Sequence, residues 1–121
     1  MLSLLRCGRH AMPGWPGELE VRLVAERGLP PVCLAHVLAR PRAGGERFQS
    51  HEGGPARALK KQFQAAGVPA EGRQGPLLFD PAGRLLWVPG LGVDAHARAP
   101  AGAPQWDLQW HAAPDAKARL V

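Results

Sequence analysis

The chain has 121 residues, the size of one domain, and carries a net charge of +5, which favours an anionic partner. No stretch approaches the ~20 apolar residues of a membrane-spanning helix, and the apolar run before Arg6 is too short for a signal peptide. Two cysteines, Cys7 and Cys33, do not make a disulfide framework, so the sequence reads as a cytoplasmic protein with reduced thiols and no membrane partner.

Glycine (15) and proline (13) fall mostly between periodic segments, which predicts a compact fold with many turns. Residues 1–14 read as a weakly patterned lead-in or linker ending at Pro13-Gly14. From Trp15 the pattern sharpens: Leu19, Val21 and Leu23 alternate with Glu18, Glu20 and Arg22, the period of a half-buried strand. Gly28-Leu29-Pro30-Pro31 breaks it, and Val32 to Arg40 is rich enough in β-branched residues to pair back as a second strand. Residues 41–55 are irregular.

A helix is predicted over about Ala56 to Ala66, with Pro55 at the first helical position, Gly67 as left-handed stop and Pro69 preventing continuation. Residues 76–89 read as a hairpin around Asp80-Pro81-Ala82-Gly83, a type I turn sequence. Residues 94–104 read as a mobile loop. Trp106, Leu108 and Trp110 then form a late strand with an aromatic face, and the last ten residues are expected to fray. The predicted class is α+β, about five short and mostly antiparallel strands with one covering helix. Its functional module spans 15–93, and 94–121 is the loop, late strand and tail.

The helix offers the clearest chemistry. Leu59, Phe63 and Ala66 form an apolar stripe, and Arg57, Lys60, Lys61 and Gln64 form the other face. Like charges at that spacing cost a helix a few tenths of a kcal/mol each, so the face is no stabilising device. From Arg40 to Arg73 seven cations (Arg40, Arg42, Arg47, Arg57, Lys60, Lys61, Arg73) stand against Glu46, Glu52 and Glu71. Arginine forks suit phosphates, and Gly44-Gly45 lets backbone amides approach a ligand closely.

Other chemistry is weaker. Cys7-x-x-His10 and Cys33-x-x-His36 give the ligand count of a zinc site. Cys33 and His36 fall in a predicted strand, however, where an odd offset sends side chains to opposite faces, so no metal is expected. Asp80, Asp94 and Asp107 have turn, loop and strand explanations, and no catalytic residue is assigned. A basic face docking an acidic protein, between domains or between proteins and without RNA, is the alternative reading.

Arg42-Ala43-Gly44-Gly45-Glu46-Arg47, followed by Leu59-Lys60-Lys61-Gln62-Phe63-Gln64-Ala65-Ala66-Gly67-Val68-Pro69, resembles the C-terminal domain of tRNA(Ile)-lysidine synthases. Pro76-Leu77-Leu78, Leu85 to Val88 and Pro89-Gly90 follow in the family's order, and the resemblance covers residues 42–93 and extends back to Trp15. One departure is Ala70-Glu71-Gly72-Arg73, where the family often has Pro-Trp-x-Arg.

The resemblance implies an enzyme that ligates lysine to the wobble cytidine of tRNA(Ile), with ATP activating the base and magnesium assisting. The implied partners are an N-terminal catalytic domain, the tRNA and a second copy in a homodimer. The catalytic domain carries a Ser-Gly-Gly-x-Asp-Ser loop; Ser3 and Ser50 are the only serines here, so no cofactor is expected in this chain. By the same analogy this domain grips the tRNA body near the acceptor stem, through Arg42, Gly44, Gly45, Arg47, Arg57, Lys60, Lys61, Gln64 and Arg73. A-form RNA is read largely by shape, phosphates and 2′-hydroxyls, which such a surface suits.

Overall fold

The structure, a computed structural model, describes residues 2–113. Among them are nine short strands, all antiparallel, and one α-helix, which bears out the α+β class with more and shorter strands than the sequence suggested. Three strands form one sheet in the order β1 (Gly8–Ala11), β2 (Gly17–Leu23), β9 (Trp106–Ala112). A second sheet has the order β3 (Leu38–Arg40), β6 (Leu77–Phe79), β7 (Leu85–Val88), β8 (Gly92–Val93). A two-stranded ribbon, β4 (Arg47–Phe48) with β5 (Arg57–Ala58), leads directly into α1 (Leu59–Ala65).

The second sheet is the middle layer. Leu78, Leu86 and Trp87 pack with Leu19, Val21 and Leu108 of the three-stranded sheet, whereas Leu77, Leu85 and Val88 pack with Phe48, Leu59 and Phe63 of the ribbon and helix. A strand covered on both faces cannot alternate polar and apolar residues, and all four residues of β7 are buried. Phe79 pairs with Leu85 and Leu78 with Trp87, so Leu86 is an extra residue on β7. This bulge lets Leu86 and Trp87 both face the first cluster. The displaced Leu86 carbonyl accepts the Asp94 amide at 2.8 Å.

Several expectations change. The lead-in is structural: β1 pairs with β2 from Gly8↔Val21 to Ala11↔Glu18, Leu4 and Met12 are buried, and Leu2 bridges to Val37. The predicted second strand is instead a 3-10 turn over Pro31–Leu34 followed by β3, which pairs with β6 rather than β2. Cys33 therefore lies in a 3-10 turn, not a strand. Leu23, the last apolar position of the β2 alternation, is 70% exposed.

The helix starts at Leu59, not Ala56, because Arg57 and Ala58 are committed to pairing with Phe48 and Arg47. Its stop is as expected: Gly67 has φ +67°, its amide bonds to the Gln64 carbonyl at 3.2 Å, and the Val68 amide bonds to the Phe63 carbonyl at 3.0 Å. The Asp80–Gly83 turn also forms, with the Gly83 amide 2.9 Å from the Asp80 carbonyl.

The 94–104 segment is pinned. Buried Asp94 accepts the amides of Gln49 and His96, and buried Gln105 accepts the Gly28 amide while donating to the Pro100 and Ala103 carbonyls. Ala112 still belongs to β9; the remainder of the expected frayed tail from residue 114 lies outside the described residues.

Candidate nucleic-acid interface

The centre of the basic surface is a ring, not a charge. Phe63 is 0% exposed, and two guanidiniums close over it: Arg42 Cζ is 5.0 Å and Arg73 Cζ 5.1 Å from the ring centroid. Both distances are within the range of a cation–π contact. Arg73 is also held by its Nε donating to the Val68 carbonyl at 2.9 Å, so the helix stop that fixes Val68 also aims this arginine. A third arginine follows the same pattern, with Arg40 Cζ 5.7 Å from the Phe79 centroid.

The loop before the ribbon turns on Gly44 (φ +96°) and Gly45 (φ +84°), a left-handed pair that other residues adopt only with strain. Of the Gly44-Gly45 amides expected to approach a ligand, that of Gly44 is taken, as is that of Ala43, by Glu46. Its Oε2 accepts from Ala43 at 2.8 Å and its Oε1 from Gly44 at 3.0 Å. Partial burial raises the Glu46 pKa, but the Ala43 amide, its own amide, the Gly44 amide and the Arg42 charge outweigh that and lower it overall. The glycines thus serve the turn, and Glu46 rigidifies the loop that carries Arg42.

The remaining predicted residues divide. Lys60, Lys61 and Gln64 are exposed on α1, and Leu59 and Phe63 are buried, as expected; Ala66 is exposed and does not extend the stripe. At about 100° per residue, Lys60 lies about 60° around the helix from Phe63, Gln64 about 100° and Lys61 about 160°. Lys60 is therefore the lysine nearer the Phe63 side of the helix, and Lys61 faces away from it.

Arg47 donates to the Ala56 carbonyl at 3.3 Å across the ribbon. Arg57 is not one helical turn before Lys60 but in β5, and since it pairs with Phe48 rather than Arg47, the two arginines project from opposite faces of the ribbon. Both lysines occupy the first helical turn, which contains no acidic residue and has no side-chain cap. Cations at that end oppose the helix dipole, so this placement too costs stability.

Among the described side chains Glu18 pairs with Arg9, while Asp94 is hydrogen-bonded to His96 and Glu20 to His111, all distant in sequence from this surface. Two contributions were missed in the sequence. Arg40 was counted as charge but not placed in the site, although its i, i+2 relation to Arg42 in extended chain was a usable signal. Gln62, which ties the helix to the ribbon by donating to the Phe48 carbonyl at 3.0 Å, had none. No group of three or more His, Cys, Asp or Glu side chains among the described residues converges as metal ligands would, and no helix among them is long and apolar enough to cross a membrane.

These features define a small α+β module that holds a cationic surface over one helix. Residues 37–110 match the family model described as the TilS substrate C-terminal domain. The tRNA(Ile)-lysidine synthase of Burkholderia pseudomallei is 42% identical over 98 residues, covering 77% of this chain and 20% of that protein. The Ralstonia nicotianae synthase is 42% identical over 105 residues, covering 84% of this chain and 22% of that protein. A crystal structure of a TilS C-terminal domain superposes with a TM-score of 0.56 at 24% identity, over 81% of this chain and 88% of the other, a likeness of fold. The chain belongs to this family, the C-terminal domains of tRNA(Ile)-lysidine synthases. It spans about a fifth of the length of the curated relatives it matches.

Proposed function

We propose that this chain is the tRNA-gripping module of a tRNA(Ile)-lysidine synthase, and that it holds the phosphate backbone of the tRNA while a separate catalytic domain ligates lysine to the wobble cytidine. The observation that carries this reading is the convergence of Arg42 and Arg73 on Phe63. Two like charges gathered at one ring repel each other, and an anion between them reverses that penalty. Lys60 and Gln64 extend the surface along α1, and Arg47, Arg57 and Lys61 supply longer-range attraction from neighbouring faces.

ATP and magnesium are left to the catalytic domain in this reading. What supports this is that the Glu46 carboxylate already accepts the Ala43 and Gly44 amides of the glycine loop. Nucleotide chemistry is accordingly assigned to the catalytic domain, and no step of it to this chain.

The test is filter binding of tRNA to the 121-residue chain across a salt series. Affinity is expected to fall steeply with salt, each phosphate contact adding about −0.9 to the log–log slope by the duplex-DNA estimate. Arg42→Ala with Arg73→Ala should flatten that slope by about two contacts, and Lys60→Glu with Lys61→Glu should weaken binding without unfolding the protein. Unchanged binding at low salt in both double variants refutes the assignment of this face and favours a docking surface for protein.

A further inference from the structure

A recess of about 290 Å³ opens between the ribbon, the start of β7 and the 3-10 turn at Ala95–Ala97, and Arg47, Arg84 and His96 all line it. We propose that this recess is a ribose–phosphate subsite, in which Arg47 and Arg84 hold a phosphate of the RNA backbone and His96 pairs with a neighbouring 2′-hydroxyl. The subsite rests on the RNA-binding function proposed above. It adds to that function a means of telling RNA from a backbone without free 2′-hydroxyls.

Main-chain bonds deliver the three side chains to one place. The Gln49 amide donates to Asp94 Oδ2 at 3.0 Å and the Ala95 amide to the Gln49 carbonyl at 2.8 Å, which joins the end of β4 to the turn that carries His96. Arg47, two residues before Gln49, donates from Nη1 to the Ala56 carbonyl at 3.3 Å, so its guanidinium is tied to the ribbon. Arg84 is set by the Asp80–Gly83 turn: its amide donates to Asp80 Oδ1 and its carbonyl accepts the Asp80 amide, both at 2.9 Å.

The imidazole is oriented beyond what the fold needs. Asp94 is 3% exposed, and its carboxylate accepts the amides of Gln49 and His96, bonds available to any side chain at position 96. It also accepts from His96 Nδ1 at 2.6 Å. With a carboxylate as its partner Nδ1 carries the hydrogen, and Nε2, across the ring, is turned away from the buried acid. The side chain keeps 24% of its surface exposed, so Nε2 can be reached.

The chemistry of the lining selects the occupant. Asp94 is engaged by its three donors, which leaves Arg47 and Arg84 as the charged groups open to a ligand, and guanidinium forks match phosphate oxygens. A hydroxyl both donates and accepts, so it pairs with Nε2 whether the imidazole is neutral or protonated, whereas a phosphate pairs only with the protonated ring. RNA displays a 2′-hydroxyl beside its phosphates along the whole backbone. An acidic peptide satisfies the arginines but carries no hydroxyl at a fixed distance from each charge.

The experiment measures, by fluorescence anisotropy, the affinity of the full 121-residue chain for two labelled RNA hairpins of one sequence. One is unmodified; the other is 2′-O-methylated throughout, which keeps every phosphate but removes each hydroxyl hydrogen. The unmodified hairpin should bind about fivefold tighter, the size of one hydrogen bond. His96→Ala should bring the two affinities together, and His96→Gln, which restores a donor and an acceptor, should recover part of the difference. Arg84→Ala should weaken both hairpins alike and reduce the log–log salt slope by about one contact. Because Arg84 is exposed, its substitution decides the phosphate half even where His96→Ala impairs folding.

Equal affinity of the unsubstituted chain for the two hairpins, or a difference undiminished by His96→Ala, overturns the subsite alone. Indifference of both hairpins to Arg84→Ala does the same. Failure to bind either hairpin at low salt overturns the RNA-binding function itself, so the two failures are distinguishable.

Discussion

Replacing Phe63 tests the fold and the site together. Its ring is fully buried against Phe48, Leu59, Leu77, Leu85 and Val88, and it also forms the platform for Arg42 and Arg73. Truncation to alanine removes the ring and leaves a cavity, which costs about 3–5 kcal/mol. The two cation–π contacts add about 0.5–1 kcal/mol each at such a surface. Against a total stability of about 5–15 kcal/mol, Phe63→Ala leaves the domain marginal.

Phe63→Leu separates the two roles: it conserves most of the volume, costing less than about 1.5 kcal/mol from packing, and removes only the π-system. Urea denaturation followed by circular dichroism measures both variants, with an unchanged m-value as the check that the denatured state is the same. A double-mutant cycle between Phe63→Leu and Arg73→Ala should give a coupling of about 0.5–1 kcal/mol. A loss below about 1.5 kcal/mol for Phe63→Ala refutes the core assignment, and strict additivity in the cycle refutes the platform.

Four other outcomes are expected. Gly67→Ala should cost about 1–2 kcal/mol in the same denaturation assay; the new methyl meets nothing within 4 Å, so the cost is the left-handed backbone alone. Arg42→Lys with Arg73→Lys keeps both charges but loses the planar stack, and should weaken tRNA binding in the salt series by more than a count of charges allows. Glu20 is held below its ordinary value of 4.5, first by the hydrogen bond to His111 at 2.7 Å. A carboxylate with a lowered folded pKa stabilises above its unfolded value and loses that contribution as pH falls through the folded one, so the melting temperatures of wild type and Glu20→Gln should converge in acid. Asp107 has the opposite sign: burial raises its pKa above 3.8 despite the Leu108 amide and Arg22. Asp107→Asn should therefore be the more stable protein at pH 7, with its advantage shrinking as pH falls through the folded value and gone below 3.8.

Local chemistry was readable where a short segment determines its own conformation. Gly67, the Asp80–Gly83 turn and the β2 alternation each depend on a handful of consecutive residues, and all three form. β1 was hidden because Arg9, His10 and Ala11 carry no apolar alternation; its side chains remain near the surface while Leu4 and Met12, outside the strand, enter the core. β4, β5 and β8 have two residues each, too few for any period to show. The Arg42–Phe63–Arg73 cluster was beyond reach for a different reason. It joins positions 21 and 10 residues apart through a loop fixed by Glu46 and a turn fixed by Val68, so it exists only once the chain has folded.

That dependence on folding bears on what the surface can do. A lysine on a flexible stem attracts RNA but is ordered only on contact, and its lost rotamer freedom is subtracted from the affinity. An arginine already stacked on a buried ring and tied to a carbonyl, as Arg73 is, has less freedom left to lose and presents its fork at a fixed angle. The proposed surface combines both kinds: Lys60 and Lys61 for attraction, Arg42 and Arg73 for position.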